Sequence, residues 1–278
     1  MRGQLIIAAD DFGLSPPVNQ AIIRAHREGV LTSASLMVTG DAVGEALALA
    51  RAHPGLAVGL HLALCDARPA LPPAEVPHLV GRDGRLEPDP ARAGLRWATS
   101  AAAREELRRE IAAQFDRYAA TGLPLAHVDG HHHLHLHPAA FPSVAAHAER
   151  LGARGVRLPA GRLAALRDAR PPRAAAEALA LGLLARRWRG LARRHRLAYA
   201  GEVHGVLRSG AMTAEYLAAL VADIRCAVTE IYLHPSTERT AARGANPGEL
   251  AALLDPAVRQ AIEARGLALA SYPDLRPM

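Results

Sequence analysis

Short apolar runs alternate along this chain with stretches whose apolar residues recur every three or four positions, as expected of buried strands alternating with amphipathic helices. "LIIAAD" (5–10) predicts a first strand. "PPVNQAIIRAHREG" follows as a helix, with Ser15 as N-cap, proline in the first turn and Gly29 as C-cap. "SASLMVTG" reads as a second strand, "DAVGEALALARAH" as a second helix and "LAVGLHLAL" (56–64) as a third strand. Residues 65–100, rich in Pro, Asp and Arg, predict a long loop or excursion. "AAAREELRREIAAQFDRYAATG" is a strong helix with Gly122 after it. The strand "LAHVDGHH", a helix through 139–151 and the short strand "GVRLP" come next. A basic, mostly helical region covers 160–200, and "VTEIYLHP" (228–235) and "ALASYPDL" (268–275) supply the last strands.

Repeated βα units call for parallel strands. About seven strands, with no GxGxxG signature, favour an α/β fold of the TIM-like (β/α) barrel type, irregular or incomplete, over an open doubly wound sheet. The region at about 160–200 is then a helical excursion. With 278 residues, no repeat and no low-complexity linker, one domain over 1–278 is the simplest organisation.

Composition narrows the chemistry. Two cysteines, Cys65 and Cys226, are too few for a disulfide scaffold and imply a reducing compartment. The opening "MRGQLIIAADDFG" has a five-residue apolar run, too short for a secretory signal, and no stretch approaches the ~20 apolar residues of a spanning helix, so a cytoplasmic location is expected. The net charge is +6, but every basic residue is arginine, and no nucleic-acid-binding motif accompanies the charge, so no nucleic-acid partner is expected. The absence of lysine excludes Schiff-base chemistry and a P-loop.

In a parallel barrel the carboxyl ends of the strands face the active site. Here the first strand ends in Asp10-Asp11, the third carries His61, the fourth ends in "HVDGHHH" and a late one ends in His234. "HVDGHHHLHLHP" holds six of the 14 histidines. By alternation its odd positions are polar (His127, Asp129, His131, His133, His135, His137) and its even positions largely apolar, which places His132 off the face that would hold a metal. Each feature has a plain alternative: a hydrogen-bonded core histidine, a turn-capping aspartate, a strand-ending histidine, a solvated loop. Their joint placement at strand ends favours a site, since one carboxylate with two histidines is a common ligand set for a catalytic divalent ion.

"AADDFGLS", "TSASLMV", "VGLHL", "HVDGHHHLHLHP" and "EIYLHP" resemble, in order, the motifs of the YdjC-like carbohydrate deacetylase family, over nearly the whole chain. "GVLRSGAMTAEYL" and "TEIYLHP" look most like its hopanoid-biosynthesis-associated (HpnK) branch. The resemblance implies a TIM-like barrel and removal of an N-acetyl group from an acetylated amino sugar, an N-acetylglucosaminyl hopanoid lipid in that branch and chitooligosaccharides in another. It implies a divalent metal, commonly given in the family as Mg2+, whereas two histidines suit Zn2+ better. The family's ligands carry over onto Asp11, His61 and His131, its general base onto Asp10 and its general acid onto His234. Gly130 stands where relatives often have serine and His204 where they often have an aromatic, which bears on substrate contact only.

Asp129 is expected to orient a histidine from behind, and Arg157 to bind a sugar hydroxyl, steer Asp10 or form a surface ion pair. His132 and His133 are expected behind the metal or against substrate, while His127, His135 and His137 receive no role. Two rival functions stand beside the deacetylase: another metal-dependent hydrolase on the same barrel, and a His-rich metal-storage protein. In the segment 174–196, Leu179, Leu183, Leu184, Trp188 and Leu191 recur at near-helical spacing, and Arg186, Arg187, Arg189, Arg193, Arg194 and Arg196 crowd its second half. The plain expectation is an ordinary barrel helix. The functional one is a peripheral contact with anionic lipid at the inner membrane face, with Trp188 and the leucines dipping into the headgroups. A homodimer is compatible with everything above.

Overall fold

The computed structural model describes residues 3–161, 172–239 and 246–275; part of the expected excursion, 162–171, lies outside them. Strand β1 (Gln4–Phe12) is buried along nearly its whole length, as a central parallel strand with both faces covered must be. It pairs in parallel with β2 (Ser33–Leu36) on one side and β7 (Val228–Leu233) on the other. The sheet runs outward through β3 (Ala57–Leu62), β4 (His127–Gly130) and β5 (Gly155–Val156) at one end and β6 (Glu202–His204) at the other, giving the order β5-β4-β3-β2-β1-β7-β6. A last strand, β8 (Ala268–Ala270), pairs with the first residues of β1.

The sheet curls as a half-barrel, but strand pairing does not close the ring. Between the end strands β5 and β6 run irregular residues, joined by the bonds Val156 N–H to Ala198 O at 2.9 Å and Val203 N–H to Ala160 O at 3.2 Å. Strand β6 is absent from the sequence expectation, because "EVH" is three residues long and has no apolar run.

Helices pack around the sheet: α1 (Pro16–Glu28), α2 (Val43–Ala52), α3 (Pro90–Thr99), α4 (Ala101–Ala120), α5 (Phe141–Arg150), α6 (Pro172–Arg194), α7 (Ala214–Ala222), α8 (Pro247–Leu254) and α9 (Pro256–Ala264). Ser15 and Gly29 flank α1 as expected, but the Ser15 side chain makes no capping bond and Gly29 is not left-handed. Helix α4 buries Leu107, Ile111, Phe115 and Tyr118 together with Glu106 and Glu110. The two carboxylates hold the 65–100 excursion by its backbone: Glu110 accepts from Ala70 N–H (2.6 Å) and Leu71 N–H (3.0 Å), and Glu106 from His78 N–H (2.7 Å).

Helix α6 corrects one expectation. Trp188 is buried, stacks on Phe141 and donates its indole N–H to Leu136 O at 2.8 Å, so it does not reach a membrane surface. Leu179 and Leu183 are the exposed leucines of this helix, at 46% and 60%.

Candidate active site

The inner face of β1 carries Ile6 and Ala8, which pack with Tyr232 and Tyr272 in a small interior core. Asp10 continues that alternation. The β1–β2 register then shifts between Ala9 and Phe12, at Asp10-Asp11, and Asp11 adopts φ 65°. Such an irregularity re-aims side chains at a strand end, and aspartate tolerates the left-handed conformation better than most residues. Gly13 follows at φ 91°, where an added Cβ would lie 3.1 Å from Met37 O, so glycine is required.

His61 on β3 is registered opposite Asp129 on β4, and the two side chains meet, His61 Nδ1 to Asp129 Oδ1 at 2.8 Å. This bond places a proton on Nδ1 and leaves Nε2 facing Asp11, 3.4 Å from its Oδ1. Beyond Gly130 the chain leaves the strand and forms a 3₁₀ turn, His131–Leu136, with His132 and His133 at φ 51° and 54°. The turn brings His131 Nδ1 to 3.4 Å from the same Asp11 oxygen.

Asp11, His61 and His131 thus offer one oxygen and two nitrogens within 4.8 Å of one another. Both Asp11 oxygens and His61 Nε2 are buried and lack a hydrogen-bond partner. That donor set fits a divalent cation. Burial raises the Asp11 pKa, but the imidazoles of His131, His61 and His234 outweigh it and hold the carboxyl well below the usual range. Burial lowers the His61 pKa, and the carboxylates of Asp129, Asp10 and Asp11 reverse this, pushing it up to about 9. The same negative field that binds a proton there would bind a cation in its place.

Arg157 is fully buried, which removes both the surface ion pair and the sugar contact expected of it. Its Nη1 reaches Asp10 Oδ2 at 2.7 Å and Asp129 Oδ2 at 2.8 Å, its Nε reaches Glu230 at 2.9 Å, and its guanidinium lies 4.5 Å from the Tyr232 ring centre. Asp10 is therefore held by one oxygen, while Oδ1 has no partner. His234, just beyond β7, brings Nε2 to 3.9 Å from Asp10 Oδ2, and Glu249 accepts its backbone N–H at 2.6 Å. Asp10, His61, His131, His133, Tyr232 and His234 all line one pocket.

The rest of the histidine run divides. His132 is exposed on the pocket rim and joins His131 and Asp66 in a second group of possible ligands. Its place off the first ligand group agrees with alternation, although the backbone there is no longer extended. His133 bonds Tyr232 OH (2.9 Å) and His135 bonds Arg157 O (2.9 Å), both buried. His127 stacks on Tyr272 and meets Ser35 Oγ at 3.1 Å, and His137 sits edge-on to Trp97. The run is therefore built into the protein and is not a free chelating strip. Asp129 has no exposed surface, and its Oδ1 meets His61 Nδ1 at 2.8 Å.

Glu230, Tyr232 and Tyr272 were missed from sequence. Glu230 accepts from Tyr272 OH at 2.7 Å and completes the anionic cage around Arg157. Alternation could have found two of them, because Glu230 and Tyr232 on β7 and His234 just beyond it lie two residues apart.

Comparisons with known proteins agree with this architecture. The chain is 47% identical over 141 residues to a carbohydrate deacetylase of Brevibacillus brevis, covering 51% of this chain and 54% of the relative. It is 42% identical over 168 residues to a carbohydrate deacetylase of Geobacillus stearothermophilus, covering 60% and 62%. A chitooligosaccharide deacetylase of Serratia marcescens is 36% identical over 156 residues, covering 55% and 58%. The chain thus spans little more than half the length of these relatives. Among solved structures, a protein of Enterococcus faecalis named as a candidate cellobiose-phosphate cleavage protein superposes with TM-score 0.74 at 27% identity, over 99% of this chain and 100% of that one. A lactam utilization protein of Thermus thermophilus shares the fold, with TM-score 0.51 at 18% identity over 96% and 99%. The model of one family, described as YdjC-like protein, matches residues 4–264, and the chain belongs to that family.

Proposed function

We propose that this chain is a hydrolase that removes the N-acetyl group from an acetylated amino sugar, and that Asp11, His61 and His131 hold a divalent metal ion for the reaction. One observation carries the reading. A two-histidine, one-carboxylate cluster meets, beside one pocket, a second carboxylate whose Oδ2 is fixed by Arg157 and whose Oδ1 is unpartnered. A bound ion supplies Lewis acidity that acidifies water and polarises an acetyl carbonyl. Asp10 accepts the proton of the attacking water, with Arg157 keeping its carboxylate in place. His234 delivers a proton to the departing amine nitrogen. Asp129 holds the Nδ1 proton of His61, so that Nε2 stays available to the ion. Two imidazoles and one carboxylate favour Zn2+, while the family resemblance favours Mg2+.

The resemblance of "GVLRSGAMTAEYL" and "TEIYLHP" to the hopanoid-associated branch supports an N-acetylglucosaminyl hopanoid as substrate, handled at the cytoplasmic face of the membrane. A chitooligosaccharide is the second reading, favoured by the Serratia marcescens relative. Mass spectrometry after incubating the metal-loaded protein with each compound separately decides between them. The expected result is loss of one acetyl group and release of acetate. Asp10→Asn should abolish this while metal content, measured by elemental analysis, is retained. No deacetylation of either compound by the metal-loaded protein overturns the proposal.

A further inference from the structure

We propose that an apolar groove beside the catalytic pocket seats an apolar aglycone carried by the amino-sugar substrate; this rests on the deacetylase reading above. The groove lies between α6 and the segment after β6. It adjoins the catalytic pocket: Val206 lines both, and Glu177 on the pocket side is next in the chain to Ala178 on the groove side. A substrate longer than the sugar in the pocket therefore meets the groove next.

The walls select for apolar groups. Helix α6 contributes Ala178, Leu179, Gly182 and Leu183, the facing segment contributes Val206 and Leu207, and α7 contributes Tyr216. Leu179 and Leu183, one helical turn apart, are two of the four large hydrophobic residues left exposed among the described residues. An apolar ligand covering them would remove that surface from water. Gly182 lies between them in mid-helix, where glycine weakens the helix. No packing contact requires it, since an added Cβ would meet nothing within 4 Å. Its effect is to keep the groove open. The polar groups on the lining are few (Arg186, His204 and the Tyr216 hydroxyl), too sparse to match the many hydroxyls of a further sugar.

The test compares octyl and methyl N-acetyl-β-D-glucosaminide, below micelle formation. Each buried methylene is worth roughly fourfold in affinity, so a groove that takes only two gives an octyl preference of more than about tenfold. We expect that preference in kcat/KM for the wild type and for Gly190→Leu, a control on the same helix outside the groove. Gly182→Phe, which fills the groove, should bring the octyl-to-methyl ratio to about one. Leu179→Gln with Leu183→Gln, both on exposed side chains, should lower it severalfold and serves if Gly182→Phe unfolds. The same ratio read from calorimetric Kd values on the Asp10→Asn background does not depend on turnover, so failure of the groove and failure of the deacetylase reading are distinguishable. Equal binding of both glycosides by the wild type, or an undiminished octyl preference in the groove variants, overturns the proposal. So does a Gly182→Phe variant that loses only binding to phosphatidylglycerol vesicles, which would assign the groove to bilayer lipid.

Discussion

Asp129 is asked to satisfy several donors at once. Its Oδ1 takes the His61 ring N–H at 2.8 Å, and its Oδ2 takes Ser35 Oγ–H at 2.7 Å and Arg157 at 2.8 Å. Burial opposes its ionisation, but the Arg157 and His61 charges prevail and hold its pKa well below the carboxylate range. In Asp129→Asn one oxygen replaces two, and an N–H2 group faces donors. The variant should bind zinc about 10–100-fold more weakly in a chelator competition while still folding, because His61 loses its orienting acceptor. Unchanged zinc affinity would show that His61 does not ligate. His135 makes a different prediction. Burial depresses its pKa to about 4, although its bond to the Arg157 carbonyl works the other way. Between about pH 4 and its ordinary value of 6.5, the unfolded chain binds a proton at His135 that the native protein does not, so stability rises with pH across that window. The full effect is of the order of 3 kcal/mol. Urea midpoints at pH 7 and 4.5 should therefore diverge more in the wild type than in His135→Gln, which keeps a donor to Arg157 O but cannot be protonated. Parallel pH dependence in the two proteins would refute the assignment.

At the scale of elements, legibility followed length and alternation. Strands β1, β3 and β7 have long apolar runs, and their terminal Asp10, Asp11, His61 and His234 could be placed at strand ends by counting. Strands of two and three residues, β5 and β6, carry almost no periodic signal. The turn after Gly130 was not legible either. Its left-handed His132 and His133 depend on distant partners, Tyr232 for His133 and the Arg157 carbonyl for His135, and no local pattern encodes those. Helix α6 shows a further limit: near-helical spacing finds an apolar stripe but does not say that Trp188 turns inward while Leu183 turns outward. The 65–100 excursion reads as irregular, yet it is pinned by α4. Glu110→Ala would strand the N–H groups of buried Ala70 and half-buried Leu71, at a cost of about 1–3 kcal/mol. Trypsin should then cut faster at Arg82 or Arg85, and the melting temperature should fall by several degrees. Glu110→Gln, which retains one acceptor oxygen, should fall between the two. Cleavage at the wild-type rate would mean that the excursion is held by its apolar contacts alone.

For the whole molecule, the curled parallel sheet explains how residues as far apart in sequence as Asp10 and His234 share a site: parallel strands deliver their carboxyl ends to one rim. Helix α6 borders that rim through Glu177, so whatever α6 rests on is brought close to the pocket. Among the described residues no helix is long and apolar enough to cross a membrane. Trp188 is unavailable for a peripheral contact, being bonded to Leu136. What α6 does present is a stripe in which exposed Leu179 and Leu183 lead, at intervals of three to four residues, into exposed Arg186 and Arg187, with exposed Arg194 two turns further on. Arg193 is partly engaged, since it donates to Tyr199 OH at 2.9 Å. Each arginine near an anionic surface contributes on the order of 1 kcal/mol, and the attraction fades beyond the Debye length of about 10 Å in 0.1 M salt. The protein should therefore co-sediment with phosphatidylglycerol vesicles at low salt and be released at high salt. The quadruple variant Arg186→Gln, Arg187→Gln, Arg193→Gln, Arg194→Gln should lose most of the low-salt binding. Its turnover of methyl N-acetylglucosaminide in solution offers a separate readout of folding and catalysis. If variant and wild type sediment alike, α6 is not a lipid contact, and the balance between the two substrates shifts toward a soluble oligosaccharide.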